Sequence, residues 1–225
     1  MRYTYLLIDI ATIMVPLVYS FDNKMRFYRR WRYYLPALFI TALFFLVWDY
    51  FKTKYGVWSF NDKYIIGIKA FGMPLEEYLF FIAVPYACTF IYESIGHLGL
   101  KRIFPDATKN YARVIGLVLL IASFFFLHQA YTFSVFFILG IVLPISALIL
   151  SSDKLDRFMQ MYLISLVPMF IVNGLLTYLP VVLYDNTQNL GIRIGTIPVE
   201  DFLYSAILLL MNITIYEWIL SRNKS

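Results

Sequence analysis

Charge is scarce in this chain. Only 15% of its 225 residues are Asp, Glu, Lys or Arg, against about 25% in ordinary soluble domains. Cysteine is nearly absent. Cys88 stands alone, so no disulfide can close within the chain and no cysteine-based metal site can assemble. Inside an apolar run it reads as a small buried hydrophobe. Histidine is confined to His97 and His128. Neither sits in a His-x-x-His or Glu-x-x-His pattern, so no metal site is expected. There is no Gly-x-Gly-x-x-Gly, the signature of a flavin or nicotinamide domain. There is no Asp-Asp-x-x-Asp run to hold magnesium and a diphosphate, which argues against prenyl-diphosphate chemistry.

What is abundant is apolar surface. Hydrophobic residues make up 61% of the chain, aromatics 20%, and the mean hydropathy is +0.70. These values exclude disorder, a secreted disulfide scaffold and an ordinary cytosolic enzyme, and leave an all-α polytopic membrane protein. A bilayer core takes about 20 apolar residues of helix. Seven spans are expected, at 3–20, 34–51, 75–95, 112–128, 133–150, 158–184 and 199–220. Net charge is +5, and the densest basic cluster is Lys24, Arg26, Arg29, Arg30 and Arg32 among Phe27, Tyr28, Trp31, Tyr33 and Tyr34. Basic and aromatic residues together fit an anchor at the membrane interface better than a nucleic-acid surface. The bilayer is therefore the expected partner, with no nucleic acid. With the N-terminus outside and the C-terminus cytoplasmic, thirteen of the 19 basic residues fall on the inner side, as the positive-inside rule favours. In a bacterium this would be the cytoplasmic membrane.

Shifting the chain by 124 residues aligns Gly67–Glu93 with Gly191–Glu217 without a gap, and eight of 27 positions are identical. Shared hydrophobicity explains the aliphatic matches but not the paired Gly, Pro and Glu. The organisation read from this is a first three-span repeat (1–95), a linking helix (96–132) and a second three-span repeat (133–225). The copies are offset by four spans, so both run the same way through the membrane, the parallel type of internal repeat.

Acidic residues inside spans are costly and mark function by default. Glu76–Glu77 and Glu200–Asp201 each open a helix just after Pro74 and Pro198. Proline and acids suit a first turn for structural reasons alone. A dipole, however, needs one acid rather than two adjacent ones in both repeats. An apolar setting disfavours the ionised form of a carboxyl and lets it keep a proton near neutrality, so the four residues are candidates for acid–base catalysis. Asp49 aligns with Asn173 near the same membrane face, and both are candidate supporting residues. Glu93 and Glu217, each preceded by a tyrosine, read as an interfacial belt at the other face. Asp9 has no acidic counterpart, since position 133 is Phe.

The segments PLEEYLFF (Pro74 to Phe81) and PVEDFLYS (Pro198 to Ser205), each closing a three-helix repeat, resemble the two halves of the membrane-integral carotenoid (lycopene) cyclase family in its fused form. This family is distinct from the flavin-dependent lycopene cyclases. The second copy departs in detail: Asp201 stands opposite Glu77 and Ser205 opposite Phe81. The resemblance implies that the linear ends of lycopene, an apolar C40 carotenoid, are converted into β rings to give γ-carotene and β-carotene. Such a cyclisation is an isomerisation, of intramolecular-lyase type, and formally needs no cofactor. It needs a protonated carboxyl, a base, a dry cavity and electron-rich walls. Tyr78, Phe80, Phe81, Phe202 and Tyr204 flank the acids and are candidates for those walls, each stabilising a desolvated cation by up to about 2 kcal/mol or more. Which acid of each pair donates, and whether the chain forms a homo-oligomer, the sequence leaves open.

Two rival classes share this polytopic helical character. A retinal-binding seven-helix protein needs a lysine in its last span, and 199–220 contains none. A small proton-coupled transporter also uses parallel repeats and buried acids. A related carotenoid end-group enzyme, a hydratase or a one-end cyclase, is the nearest alternative.

Overall fold

Without water to satisfy the backbone, long apolar segments are stable only when their peptide groups bond internally, as in a helix. The computed structural model describes residues 1–104 and 107–223; Lys224, one of the basic residues counted above, lies outside them. Helices α1 (Thr4–Tyr19), α2 (Trp31–Lys54) and α3 (Leu75–Leu98) make the first half. Helix α4 (Thr108–Ser123) follows, and α5 (Ala130–Ile149), α6 (Ser152–Tyr178) and α7 (Val199–Arg222) make the second. Short strands β1 (Trp58–Phe60), β2 (Lys69–Ala70) and β3 (Met73–Pro74) separate α2 from α3. Strands β4 (Val182–Tyr184), β5 (Arg193–Ile194) and β6 (Ile197–Pro198) separate α6 from α7.

Among the described residues, six helices are long and apolar enough to cross a membrane. The expected first span falls short of that. Helix α1 has 16 residues, about 24 Å of rise, less than a hydrocarbon core of about 30 Å. Its N-terminal end is tied down instead: Thr4 N–H donates to Met1 C=O at 3.0 Å, and the Arg2 guanidinium to Ile66 C=O at 3.0 Å. The expected sixth span also changes. Its helix begins at Ser152, capped by the Ser151 hydroxyl, and ends at Tyr178. Pro180 cannot continue a helix, and residues 182–184 pair instead with β1. The six short strands were not anticipated, because segments of two or three residues leave no readable period.

Equivalent elements of the two halves exchange partners. Helix α2 packs on α7 and α6 on α3, while α1 packs on α3 and α5 on α7. Strands β1 and β4 pair antiparallel as Trp58 with Tyr184, Ser59 with Leu183 and Phe60 with Val182. Under the 124-residue shift this register maps onto itself about Ser59 and Leu183. Such self-complementarity is what a two-fold relation between the halves produces. The first helices are the exception. Tyr5 N–H donates to Tyr64 C=O and Tyr131 N–H to Gln188 C=O. Residues 64 and 188 are 124 apart, whereas 5 and 131 are 126 apart. The structure therefore places Val135, not Phe133, opposite Asp9.

Helix α4 packs closely on α5, with glycine on each side. A Cβ on Gly140 would lie 2.8 Å from the Leu120 backbone nitrogen, and one on Gly116 would lie 2.5 Å from Pro144 Cδ. The outer face of α4 exposes Val114, Ile115, Leu117, Val118 and Ile121, a stripe suited to lipid tails. Backbone cannot yield as a side chain end can, so Gly140→Val should force α4 and α5 apart. The expected cost is about 1–3 kcal/mol, read as a lower unfolding temperature in detergent. An unchanged midpoint would show that the close approach is not needed.

Candidate active site

Both Pro-x-acid-acid motifs are built alike. Pro74 and Pro198 are extended residues at the helix starts, and the acids occupy the first turns of α3 and α7. All four acids are buried, yet the two members of each pair serve different ends. Glu76 Oε1 accepts the backbone N–H of Ile66 at 2.7 Å, and Glu200 Oε1 that of Leu190 at 2.8 Å. These bonds pin the loop that precedes each helix. Thr132 also donates to Glu200 Oε1 at 2.6 Å. Their neighbours, about 100° round the helix, face a cavity.

That cavity has a volume of about 410 Å³ and is bounded by α1, α3, α6 and α7, within the range typical of small-molecule sites. Its walls are largely apolar. Along α3 it follows Glu77, Phe80, Val84, Ala87, Cys88 and Ile91, a one-sided helical stripe about 21 Å long. Three carboxyls line it, Asp49, Glu77 and Asp201, together with Asn173 and the rings of Trp58, Phe60, Phe80, Tyr131, Tyr184 and Tyr204.

The two cavity acids meet different surroundings. The Tyr5 hydroxyl donates to Glu77 Oε2 at 2.6 Å. Asp201 receives three donors: Tyr131 hydroxyl at 2.6 Å, Tyr184 hydroxyl at 2.8 Å and Asn173 Nδ2 at 3.4 Å. An ionised carboxylate only accepts, so three donors suit Asp201 in that form. Glu77 instead lies within electrostatic reach of Asp9, Asp49, Glu76 and Asp201. Asp9 is buried, and neither of its oxygens has a hydrogen-bond partner among the described residues. The Lys52 ammonium, buried near Asp49, is held by the Ala130 carbonyl. In the loop after β4, the N–H and hydroxyl of Thr187 hold the Asp185 carboxyl below its usual range.

The aromatic candidates divide. Phe80 and Tyr204 line the cavity. Tyr204 packs on Trp48 at 4.9 Å and on Phe45 at 5.1 Å. Phe81 does not line it; it is buried against Phe45 at 5.8 Å. Phe202 packs tilted on Phe170 at 5.2 Å outside the cavity, and Tyr78 donates to Ala70 C=O at the surface. Tyr5, Tyr131, Tyr184 and Trp58 were not singled out from the sequence. A tyrosine opening the first helix of each half was the available signal. The 126-residue spacing hid it from an ungapped shift of 124.

Because Glu76 is a loop anchor, Glu76→Gln should be mild. The amide keeps an acceptor for Ile66 N–H, so stability should fall by no more than about 1 kcal/mol. A large drop in the unfolding temperature in detergent would show that the loop needs the carboxylate itself.

Fold and site together define a class: a helical membrane protein with an apolar cavity capped at one end by carboxyls and aromatic rings. The lycopene cyclase family model matches residues 2–95 and again 128–219, and the chain belongs to this family. It is 26% identical over 118 residues to a bifunctional lycopene cyclase/phytoene synthase of Neurospora crassa, covering 50% of this chain and 19% of that protein. The corresponding protein of Podospora anserina is 24% identical over 152 residues, 64% of this chain and 24% of the relative. That of Pyrenophora tritici-repentis is 26% identical over 103 residues, 46% and 17%. The chain thus matches only about a fifth of the length of these relatives. No solved structure matches it.

Proposed function

We propose that this protein is a lycopene β-cyclase, with Glu77 as the acid and Asp201 as the base. The observation that carries this is their convergence on one apolar cavity, with the Tyr5 hydroxyl on Glu77 and three donors around Asp201. Glu77 O–H protonates the terminal double bond of a linear end, leaving a tertiary cation. The next double bond attacks it, closing a six-membered ring and moving the positive charge onto the ring. Asp201 removes an adjacent ring proton, and the electrons of that C–H bond form the ring double bond. One proton enters and one leaves, so the product is an isomer and no redox partner is required. Trp58, Phe80 and Tyr204 line the cavity, and a desolvated cation over an aromatic face gains about 2 kcal/mol. The stripe along α3 receives the rest of the polyene. In the orientation favoured by the basic residues, the acids lie towards the outer membrane face.

The test is expression in a lycopene-accumulating host, followed by chromatography of the pigments. β-Carotene or γ-carotene should replace lycopene, and cyclisation in heavy water should place solvent deuterium on the ring. Lycopene left unchanged by a well-expressed, folded protein would overturn the reading. The almost wholly apolar lining disfavours a carrier of polar solutes.

A further inference from the structure

A second cavity, of about 700 Å³, lies at the opposite end of the bundle, where α3 and α7 end and α2 and α6 begin. It is polar, and its charged lining is Arg30, Lys154, Arg157, Glu93 and Glu217. The last two are the residues that the sequence suggested as an interfacial belt; the structure buries both and pairs them reciprocally. Tyr92 donates to Glu217 at 2.7 Å and Tyr216 to Glu93 at 2.8 Å. Arg30 pairs with Glu93 at 3.1 Å and Lys154 with Glu217 at 2.8 Å. Each carboxylate therefore has its own cation.

Arg157 is left over. Its guanidinium lies over the Tyr92 ring at 5.1 Å and against the backbone of Gly96, where a Cβ would come within 2.6 Å of Nη1. It feels Glu93 electrostatically, but among the described residues no acceptor bonds it and no carboxylate reaches ion-pair distance. A guanidinium carries five donors in a planar fork matched to phosphate oxygens. Among the described residues the cavity lining thus carries one more positive than negative charge, and the Arg157 fork has no acceptor. Phe21, Tyr28 and Trp218 are exposed in segments that lead into or end at this side of the bundle, as a headgroup-level belt would be.

We propose that this cavity binds a phosphate monoanion through Arg157, with Lys154 or Arg30 as the second contact; a phosphodiester headgroup matches the charge. The site is independent of the cyclase reading and lies at the other membrane face. The test uses the purified full-length protein in detergent and native mass spectrometry. Phosphatidylglycerol adducts should survive better than phosphatidylcholine adducts, and Arg157→Gln should weaken them about tenfold or more. Arg157→Lys should restore part of the effect. Gly96→Ala, which displaces the guanidinium without removing it, should also weaken them and serves if Arg157→Gln fails to fold. Inorganic phosphate is added in a separate arm. Displacement of the lipid together with a raised unfolding temperature identifies a small phosphate as occupant; no displacement identifies the headgroup. Equal lipid retention by the wild type and the folded variants overturns the proposal. So does the absence of any preference over phosphatidylcholine combined with no response to phosphate.

Discussion

Glu77→Gln is expected to lower ring formation by about a hundredfold or more, with the protein still accumulating in the membrane. The amide is nearly isosteric and still accepts from Tyr5, whose hydroxyl donates to Oε2 at 2.6 Å. Packing should therefore survive. What is lost is the acidic proton, and a carboxamide cannot protonate an alkene. Asp9 and Asp49 lie near Glu77 but do not replace it: Asp9 does not line the cavity, and Asp49 lies on another wall. Lycopene, with no cyclised product, should accumulate in a lycopene-producing host. A wild-type yield of β-carotene from this single variant would remove Glu77 from the mechanism. Failure of Asp201→Asn alone would leave Glu77 as the acid and require another base.

Lys154→Met is expected to destabilise the protein by about 3 kcal/mol, the lower end of the cost of breaking a buried ion pair. Glu217 is almost fully buried and accepts from Lys154 Nζ at 2.8 Å and from the Tyr92 hydroxyl at 2.7 Å. Removing the ammonium leaves a buried carboxylate with one neutral donor. The lysine is itself about one-third exposed, which tempers the effect. Adding Glu217→Leu should recover much of the loss, because the orphaned charge then disappears. Unfolding midpoints of the single and double variants in one detergent check this. A double variant no more stable than Lys154→Met would mean that the orphaned carboxylate is not the source of the loss.

Much of the site was legible in the sequence because it is written twice. Pro74 with Glu76–Glu77 and Pro198 with Glu200–Asp201 stand out once the chain is shifted by 124, since shared hydrophobicity cannot produce matched prolines and acids. Asp49 and Asn173 were reachable by the same shift, and both line the cavity. Their hydrogen-bonding partners were not legible. Tyr5 and Tyr131 reach acids 72 and 70 residues away, and nothing local marks such a pairing. The first helices also follow a different offset, so one shift could not align both ends of the repeat. Phe81, Phe202 and Tyr78 were candidates by proximity in sequence; helical geometry turns them into the core, onto Phe170 and to the surface. Glu93 and Glu217 lie at the opposite end, but their burial was not legible either: the equivalent helix of the other half supplies a tyrosine to each.

The scarcity of charge by itself determined that this chain belongs in a bilayer, and the repeat picked out which few carboxyls are candidates, because burying an acid in an apolar helix is costly and here occurs twice in register. Only the tertiary structure decided how each pair divides its work. Adjacent residues on a helix point about 100° apart, and either could have faced the interior. Packing of α1 and α6 against α3 and α7 turned Glu77 and Asp201 into the cavity and left Glu76 and Glu200 to hold the loops.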